Sequence, residues 1–240
     1  MCTVTFWPRR RGFLLGMNRD EQRTRISGLP PERFAVGARR GVNPREPGGG
    51  TWISVNDLGI GFALLNWYAV AAVAAAPAVS RGGIVLAVRD ADSSAEVVRR
   101  LGRLPWPRLN PCRLLGIFPG ERQVREWRWD LHGLTVVTHP WQPAQWQSSG
   151  HREAEAQRIR GAEFQRRRAD ADAGSVGWLR RLHASHAPAS GAFSVCMHRD
   201  DAATVSYTEL EVTPQIQAVR HRLGAPCEAG PFHDLSTAAG

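Results

Sequence analysis

The N-terminal sequence MCTVTFW (residues 1–7) is followed, after a proline, three arginines and a glycine, by FLLGMNRDE (residues 13–21). Each segment contains a run of β-branched, aromatic or leucine side chains, and the break between them has the residues of a turn, which is the pattern of a β-hairpin. The returning strand would bring residues 18–21 beside the start of the chain. The sequence therefore predicts that the fold begins inside a sheet, with Cys2 next to a charged segment.

If Met1 is removed, Cys2 gains a chemical property that an internal cysteine lacks. The residue then has a thiol and a free α-amine. The amine titrates at about pH 7.7–8.0 in model peptides, so it can accept the thiol proton, and the resulting thiolate is a strong nucleophile. The alternative is that Cys2 only packs at the start of a strand, as many free cysteines do.

Three further residues are candidates for supporting such a nucleophile. Arg19 can lower the pKa of the thiol, and the Asp20 carboxylate can orient an ammonium group. A charged turn is the alternative interpretation of this pair. Asn66 ends the apolar segment FALL (residues 62–65), and a carboxamide at a strand end can donate a hydrogen bond to a developing oxyanion. The alternative for Asn66 is a simple turn residue.

The rest of the chain shows a mixture of strand and helix patterns joined by turn residues. The predicted segments are a second hairpin over 51–66, helices over 82–89, 94–103 and 176–183, and strands over 114–119, 124–131, 134–139, 193–197 and 204–212. This order favours an α+β fold in which antiparallel sheets are covered by helices. It predicts one domain over residues 1–225 and a disordered tail over 226–240.

Residues 150–168 are highly charged and contain few apolar side chains. They are interpreted as an exposed helix or a mobile crossover whose arginines form a solvated face.

The composition narrows the class of protein. The formal net charge is +9, but all 31 basic residues are arginine, so the charge is as easily explained by codon bias as by selection for a nucleic-acid interface, and nucleic-acid binding is disfavoured. There is no signal-peptide pattern and no apolar segment of membrane-spanning length. The four cysteines do not show disulfide-framework spacing, which favours a reducing, cytoplasmic location.

Two histidine-containing motifs contain residue types that bind metals. They are His183-x-x-His186 and Cys196-x-His198. The first has no carboxylate at helical spacing, and the second is predicted to lie on one face of a strand, so the sequence predicts no metal site. His198 is then either a strand histidine satisfied by a neighbour or a residue that lines a ligand pocket.

Several ordered motifs within residues 1–83 resemble the NRDE family, also called the Transport and Golgi Organisation family. They are Met1-Cys2-Thr3, Asn18-Arg19-Asp20-Glu21, Gly49-Gly50-Thr51-Trp52, Asn56-Asp57-Leu58-Gly59, Leu65-Asn66-Trp67 and Ser80-Arg81-Gly82. Residues 196–199 and 204–208 also resemble the closing hairpin of bacterial NRDE proteins. That family is similar in pattern to the cholylglycine hydrolase and penicillin V acylase group, so the resemblance implies an N-terminal-nucleophile hydrolase with a four-layer αββα sandwich.

The resemblance also implies roles for individual residues. Cys2 matches the nucleophile, Arg19 and Asp20 the pair that supports it, and Asn66 the oxyanion-hole asparagine, with the backbone N–H of Trp67 assisting. The acylases use a second asparagine and a late arginine. Residues 146–150, where the second asparagine is expected, contain none, and no arginine is assigned to the late position.

These observations leave three functional hypotheses. The first is an enzyme that hydrolyses or transfers an acyl group at an amide-type carbon–nitrogen bond of a small molecule, through a thioester on Cys2 and without a cofactor. The second is a non-catalytic binding or trafficking protein on the same scaffold, with an acyl-lipid or haem as its ligand. A general interaction module that uses the arginine-rich segment 151–168 is a third.

Overall fold

The computed structural model describes residues 2–74 and 77–238. The strands are β1 Cys2–Arg9, β2 Gly12–Gln22, β3 Leu29–Val36, β4 Arg39–Arg45, β5 Ile53–Asn56, β6 Gly61–Asn66, β7 Cys112–Phe118, β8 Gln123–Trp129, β9 Leu134–His139, β10 Ala144–Ser148, β11 Ala202–Val212, β12 Ile216–Leu223 and β13 His233–Ala238. The helices are α1 Gly82–Val88, α2 Ser94–Leu101, α3 Glu153–Arg167 and α4 Val176–His183, and a 3-10 turn covers Trp106–Arg108.

The strands form two sheets with antiparallel neighbours. The first sheet has the order β10-β1-β2-β11-β12-β13, and the second has the order β3-β4-β5-β6-β7-β8-β9. A large apolar core joins the two sheets, with side chains such as Phe6 and Met17 from the first and Ile53 and Leu65 from the second. The predicted opening hairpin is confirmed as β1 and β2.

Helices cover the outer face of each sheet. Ile84 of α1 and Val97 of α2 pack with Phe62 of β6 on the outside of the second sheet. On the first sheet, α4 packs its Trp178 and Leu182 against β2, and α3 contacts β10. The layer order is therefore helix, sheet, sheet, helix, which confirms the predicted α+β sandwich. Among the described residues, every helix is too short or too polar to cross a membrane.

Local sequence explains where the amphipathic helices begin. Ser93 caps α2 by accepting a hydrogen bond from the backbone N–H of Glu96, and Ser175 caps α4 by accepting one from that of Trp178. A serine hydroxyl at this position satisfies an N–H that has no partner within the helix. The close approach of α4 to β2 requires Gly16, because a Cβ there would lie 2.8 Å from the Nε2 atom of His183.

Three expectations about segments do not hold. Residues 193–197, predicted as a strand, form an irregular connection. Residues 233–238, expected to be disordered, form β13, which pairs with the otherwise open edge of β12. The arginines of 150–168 are not all solvated, because Arg160 on α3 is fully buried.

Candidate active site

Cys2 lies in the first sheet between two neighbouring strands. It is paired with Arg19 of β2 on one side and with Ser148 of β10 on the other. The backbone nitrogen of Cys2 donates a hydrogen bond to the Ser148 hydroxyl at 3.1 Å. The residue is 8% exposed, so its sulfur is shielded from bulk water but not sealed in hydrocarbon.

A cavity of about 340 Å³ opens beside Cys2, and we refer to it as the Cys2 pocket. Its lining includes the four residues that the sequence singled out as catalytic, namely Cys2, Arg19, Asp20 and Asn66. The hairpin brings the first three together, and β6 of the second sheet brings the fourth. The pocket therefore lies at one end of the interface between the two sheets.

Arg19 is held tightly at the wall of this pocket. Its guanidinium lies 2.5 Å from a carboxylate oxygen of Glu46 and 3.3 Å from one of Glu21, and it stacks over the Trp52 ring at 4.8 Å from the centroid. Two carboxylates close to one guanidinium offset its charge. Arg19 therefore fixes the shape of the pocket more than it supplies a free positive charge to the sulfur.

The Asp20 carboxylate pairs with a buried arginine that was expected, from the sequence, to lie on the surface. Arg160 donates to the Asp20 carboxylate at 3.2 Å and to the Thr3 hydroxyl at 2.9 Å, and both Arg160 and Asp20 side chains are fully buried. The other Asp20 oxygen accepts a hydrogen bond from Thr204 at 2.7 Å. The strands on either side of β2 and the helix α3 thus fix the carboxylate in one position.

The environment of Cys2 determines the resting state of its thiol. Burial is the largest influence and raises the pKa of the thiol above its usual value, and the Asp20 carboxylate acts in the same direction. The backbone N–H of Asp20, which hydrogen-bonds to the sulfur, and the Arg19 guanidinium oppose this rise in pKa. The thiol is therefore protonated at neutral pH, and its attack on a carbonyl requires a base close to the sulfur.

Asn66 lies at the end of β6 with its carboxamide at the pocket. The amide nitrogen donates to the Tyr68 hydroxyl at 2.8 Å, which leaves its second N–H for a ligand. The assisting role expected for Trp67 is not supported, because its backbone N–H already donates to the Pro111 carbonyl at 3.2 Å and Trp67 is not part of the pocket lining.

The pocket-lining role suggested for His198 has no support at the Cys2 pocket. Its Nε2 atom lies 3.5 Å from the sulfur of Cys196 and 3.3 Å from that of Cys227, outside the Cys2 pocket lining. Together with His186 these residues form a group that we call the histidine–cysteine cluster. His183, the first histidine of the His183-x-x-His186 motif, is instead buried in the core and forms hydrogen bonds with Asn18 and Thr5.

Two residues that contact the candidate site were not predicted from the sequence. Ser148 occupies the segment where a second asparagine was expected, and β10 was not predicted. The carboxamide of its neighbour Gln147 donates a hydrogen bond to Gln145, and Gln147 is not part of the Cys2 pocket lining. Arg160 was missed because a single buried arginine on a charged helix has no signature in a sequence with 31 arginines.

The same architecture is found in solved structures of acylases. Penicillin V acylase from Agrobacterium tumefaciens matches with a TM-score of 0.55 at 8% sequence identity, over 93% of this chain and 83% of that one. A mutant of conjugated bile acid hydrolase from Clostridium perfringens matches with a TM-score of 0.54 at 11% identity, over 98% of this chain and 92% of that one. This chain has their fold.

A second bile acid hydrolase variant from the same organism matches this acylase-like fold with a TM-score of 0.51 at 10% identity, over 99% of this chain and 96% of that one. No family model and no curated protein sequence matches the chain. The NRDE resemblance therefore depends on its motifs alone. Met1 lies outside the described residues, so its removal stays a prediction.

Proposed function

We propose that the protein is an N-terminal cysteine hydrolase or acyltransferase that acts on an amide-type carbon–nitrogen bond of a small molecule. The observation that carries this proposal is the position of Cys2 at the wall of a polar cavity together with Arg19, Asp20 and Asn66. The fold shared with an acylase and a bile acid hydrolase supports it, as does the NRDE-like motif order. The Met1-free chain is the active form in this proposal.

The first step uses the two groups of Cys2 together. The α-amine, held by the Ser148 hydroxyl, accepts the thiol proton as the sulfur attacks the amide carbonyl. Because burial raises the pKa of the thiol, proton transfer accompanies the attack instead of preceding it. The carbon–sulfur bond forms, the carbonyl π electrons move to oxygen, and the Asn66 amide N–H donates to that oxyanion.

The second step releases the amine and the third releases the acid. The tetrahedral intermediate collapses, the carbon–nitrogen bond breaks, and the Cys2 ammonium group gives its proton to the leaving nitrogen. Water then attacks the thioester, with the α-amine as base, and the sulfur leaves and is protonated again. An amine in place of this water gives acyl transfer. Asp20, fixed by Arg160 and Thr204, orients the ammonium group through both steps.

The test is acyl-adduct formation on the processed chain. Protein whose Met1 removal has been verified by N-terminal mass analysis is incubated with panels of acyl amides and lactones, and adducts are detected by intact mass. We expect an adduct that peptide mapping assigns to Cys2, that Cys2→Ala abolishes and that Cys2→Ser changes to a more slowly hydrolysed ester.

Cys112→Ala is the matched control, because Cys112 is a buried thiol on β7 that does not line the Cys2 pocket. This variant is expected to form the same adduct as the wild type. The absence of any adduct in Met1-free protein would contradict catalysis. Saturable binding of an acyl-lipid or haem without turnover would then favour the binding-protein hypothesis.

A further inference from the structure

The histidine–cysteine cluster lies outside the Cys2 pocket and brings together residues that are far apart in the chain. His186 follows α4, Cys196 and His198 lie in the irregular connection to β11, and Cys227 follows β12. One ligand atom from each of the four lies within 4.8 Å of every other. The cluster therefore offers two thiols and two imidazoles, a ligand set that is typical of structural zinc sites.

The distances within the cluster fit a tetrahedral ion. Zinc–sulfur bonds of about 2.3 Å and zinc–nitrogen bonds of about 2.0–2.1 Å place neighbouring sulfur and nitrogen ligands about 3.5 Å apart. The Nε2 atom of His198 lies 3.5 Å from the Cys196 sulfur and 3.3 Å from the Cys227 sulfur. The rings of His186 and His198 meet edge to face with centroids 5.0 Å apart, and one nitrogen of each ring lies within 4.8 Å of both sulfurs.

A second observation points to a ligand at this position. The Nε2 atom of His186 is shielded from solvent, and among the described residues it has no hydrogen-bond partner. An unpartnered buried nitrogen is costly, since burial removes its bonds to water without replacing them. Cys196 is also fully buried. Coordination of a cation would satisfy the histidine nitrogen and convert the thiols to bound thiolates.

We propose that His186, Cys196, His198 and Cys227 form a structural Cys2His2 site for a divalent zinc ion. All four positions of a tetrahedral ion are filled by protein, so no position is left for a substrate or a reactive water. The ion would bind the connection between α4 and β11 to the segment after β12. Neither segment is held there by regular secondary structure, apart from one isolated bridge between His198 and Ala203.

The zinc site would also fix one of the groups that hold the Asp20 carboxylate in position. Met197, between the two ligands Cys196 and His198, donates its backbone N–H to the Thr204 hydroxyl at 2.8 Å. Thr204 in turn donates to the Asp20 carboxylate at 2.7 Å. An ion bound by Cys196 and His198 would therefore fix the Met197 backbone N–H, and with it the Thr204 hydroxyl that bonds Asp20. The zinc proposal does not depend on the proposed enzyme activity, because metal content and stability are measured without a substrate.

The experiment measures metal content in full-length protein purified under reducing conditions without chelator. We expect zinc in equimolar amount with the wild-type chain, and a replacement by cobalt that gives the absorption of tetrahedral cobalt with thiolate ligands. Cys227→Ser, at an exposed position where folding is least at risk, and His186→Gln are expected to lose the retained metal and the cobalt spectrum. Cys112→Ala, at a buried thiol outside the cluster, is expected to keep both.

Thermal unfolding gives a second measurement. A chelator is expected to lower the Tm of the wild type and of Cys112→Ala but not that of Cys227→Ser, because only a bound ion couples metal concentration to stability. The proposal is overturned if reduced wild-type protein retains no zinc and shows no cobalt spectrum. It is also overturned if the Cys196 and Cys227 thiols are found joined as a disulfide in protein kept under reducing conditions, or if Cys112→Ala loses metal as fully as Cys227→Ser.

Discussion

The Cys2 pocket and the histidine–cysteine cluster both place a thiol among polar groups, but the chain builds them in different ways. Cys2 meets Arg19 and Ser148 through the hydrogen-bonded register of adjacent strands. Cys196 meets Cys227 through two irregular segments that only the folded sheet brings together. The contact between Cys2 and Arg19 lies within one hairpin and follows from a local pattern. The contact of Cys2 with Ser148 and the contacts between distant loops do not.

The two regions also suit different chemistry. Cys2 borders a cavity of about 340 Å³, so a small molecule can reach its sulfur. Cys196 is fully buried and is surrounded by three other potential ligands, so an ion fits where a substrate does not. The contrast is tested by substitutions whose expected effects decrease in the order Arg160, Asn66, His183 and Glu46.

The largest effect is expected for the buried ion pair beneath the Cys2 pocket. Arg160→Met leaves the Asp20 carboxylate buried without its cation, and loss of one partner of such a pair costs about 3–5 kcal/mol in the free energy of unfolding. Urea denaturation measures this difference. Arg158→Met is the matched control, because Arg158 is an exposed residue on the same helix. Equal destabilisation by the two variants would show that the pair is not needed.

Asn66 tests whether the pocket stabilises an oxyanion. Asn66→Ala is expected to slow acyl-adduct formation on Cys2 by about 10²–10³-fold, the usual cost of removing one oxyanion donor. Tyr68→Phe, which removes only the group that accepts a hydrogen bond from Asn66, is expected to slow it less. Rates are measured by time-resolved intact mass. A rate in Asn66→Ala close to that of the wild type would assign oxyanion stabilisation to another group.

His183 and His186 are three residues apart but belong to the core and to the cluster respectively. Burial lowers the pKa of His183 from 6.5 to about 3, so it remains neutral in the folded protein while the unfolded chain binds a proton. The stability that this histidine contributes is complete above about pH 6.5 and decreases as the pH falls toward 3. The decrease between pH 6.5 and 5.5 amounts to about 1 kcal/mol.

His183→Gln is expected to remove this part of the pH dependence, as measured by denaturation at a series of pH values. His132→Gln, at an exposed position, is the control, and its stability should vary with pH as that of the wild type does. A pH slope in His183→Gln equal to that of the wild type would contradict the assignment of His183 as a buried neutral core residue.

The smallest effect concerns the charge of Arg19. Glu46→Gln removes one of the two carboxylates that offset the guanidinium, so the pKa of the Cys2 thiol should fall slightly. The pH profile of Cys2 alkylation, followed by peptide mapping, measures this shift. Glu32→Gln, at a surface pair with Arg45, should not change the profile. An upward shift in Glu46→Gln would contradict the proposed role of Glu46.

Much of the first half of the chain could be predicted because its signals are local. The hairpin of β1 and β2 follows from two short apolar runs around a turn, and its pairing alone places Arg19 opposite Cys2. Strands β3 and β4 were not predicted because proline and arginine obscure their pattern. Pro30 and Pro31 lie in β3 at the edge of the second sheet. Proline is tolerated there because an edge strand does not need every residue to donate an N–H to a neighbouring strand.

The sequence by itself determined the hairpin, the candidate nucleophile at position 2 and the antiparallel α+β class, because these depend on residues within a few positions of one another. Only the tertiary structure decided that Asn66 shares a cavity with Cys2, that Arg160 is buried beneath Asp20, and that His186, Cys196, His198 and Cys227 converge. These contacts join elements of different sheets, helices and loops. Their geometry is determined by how the layers pack, and layer packing leaves no local pattern in the sequence.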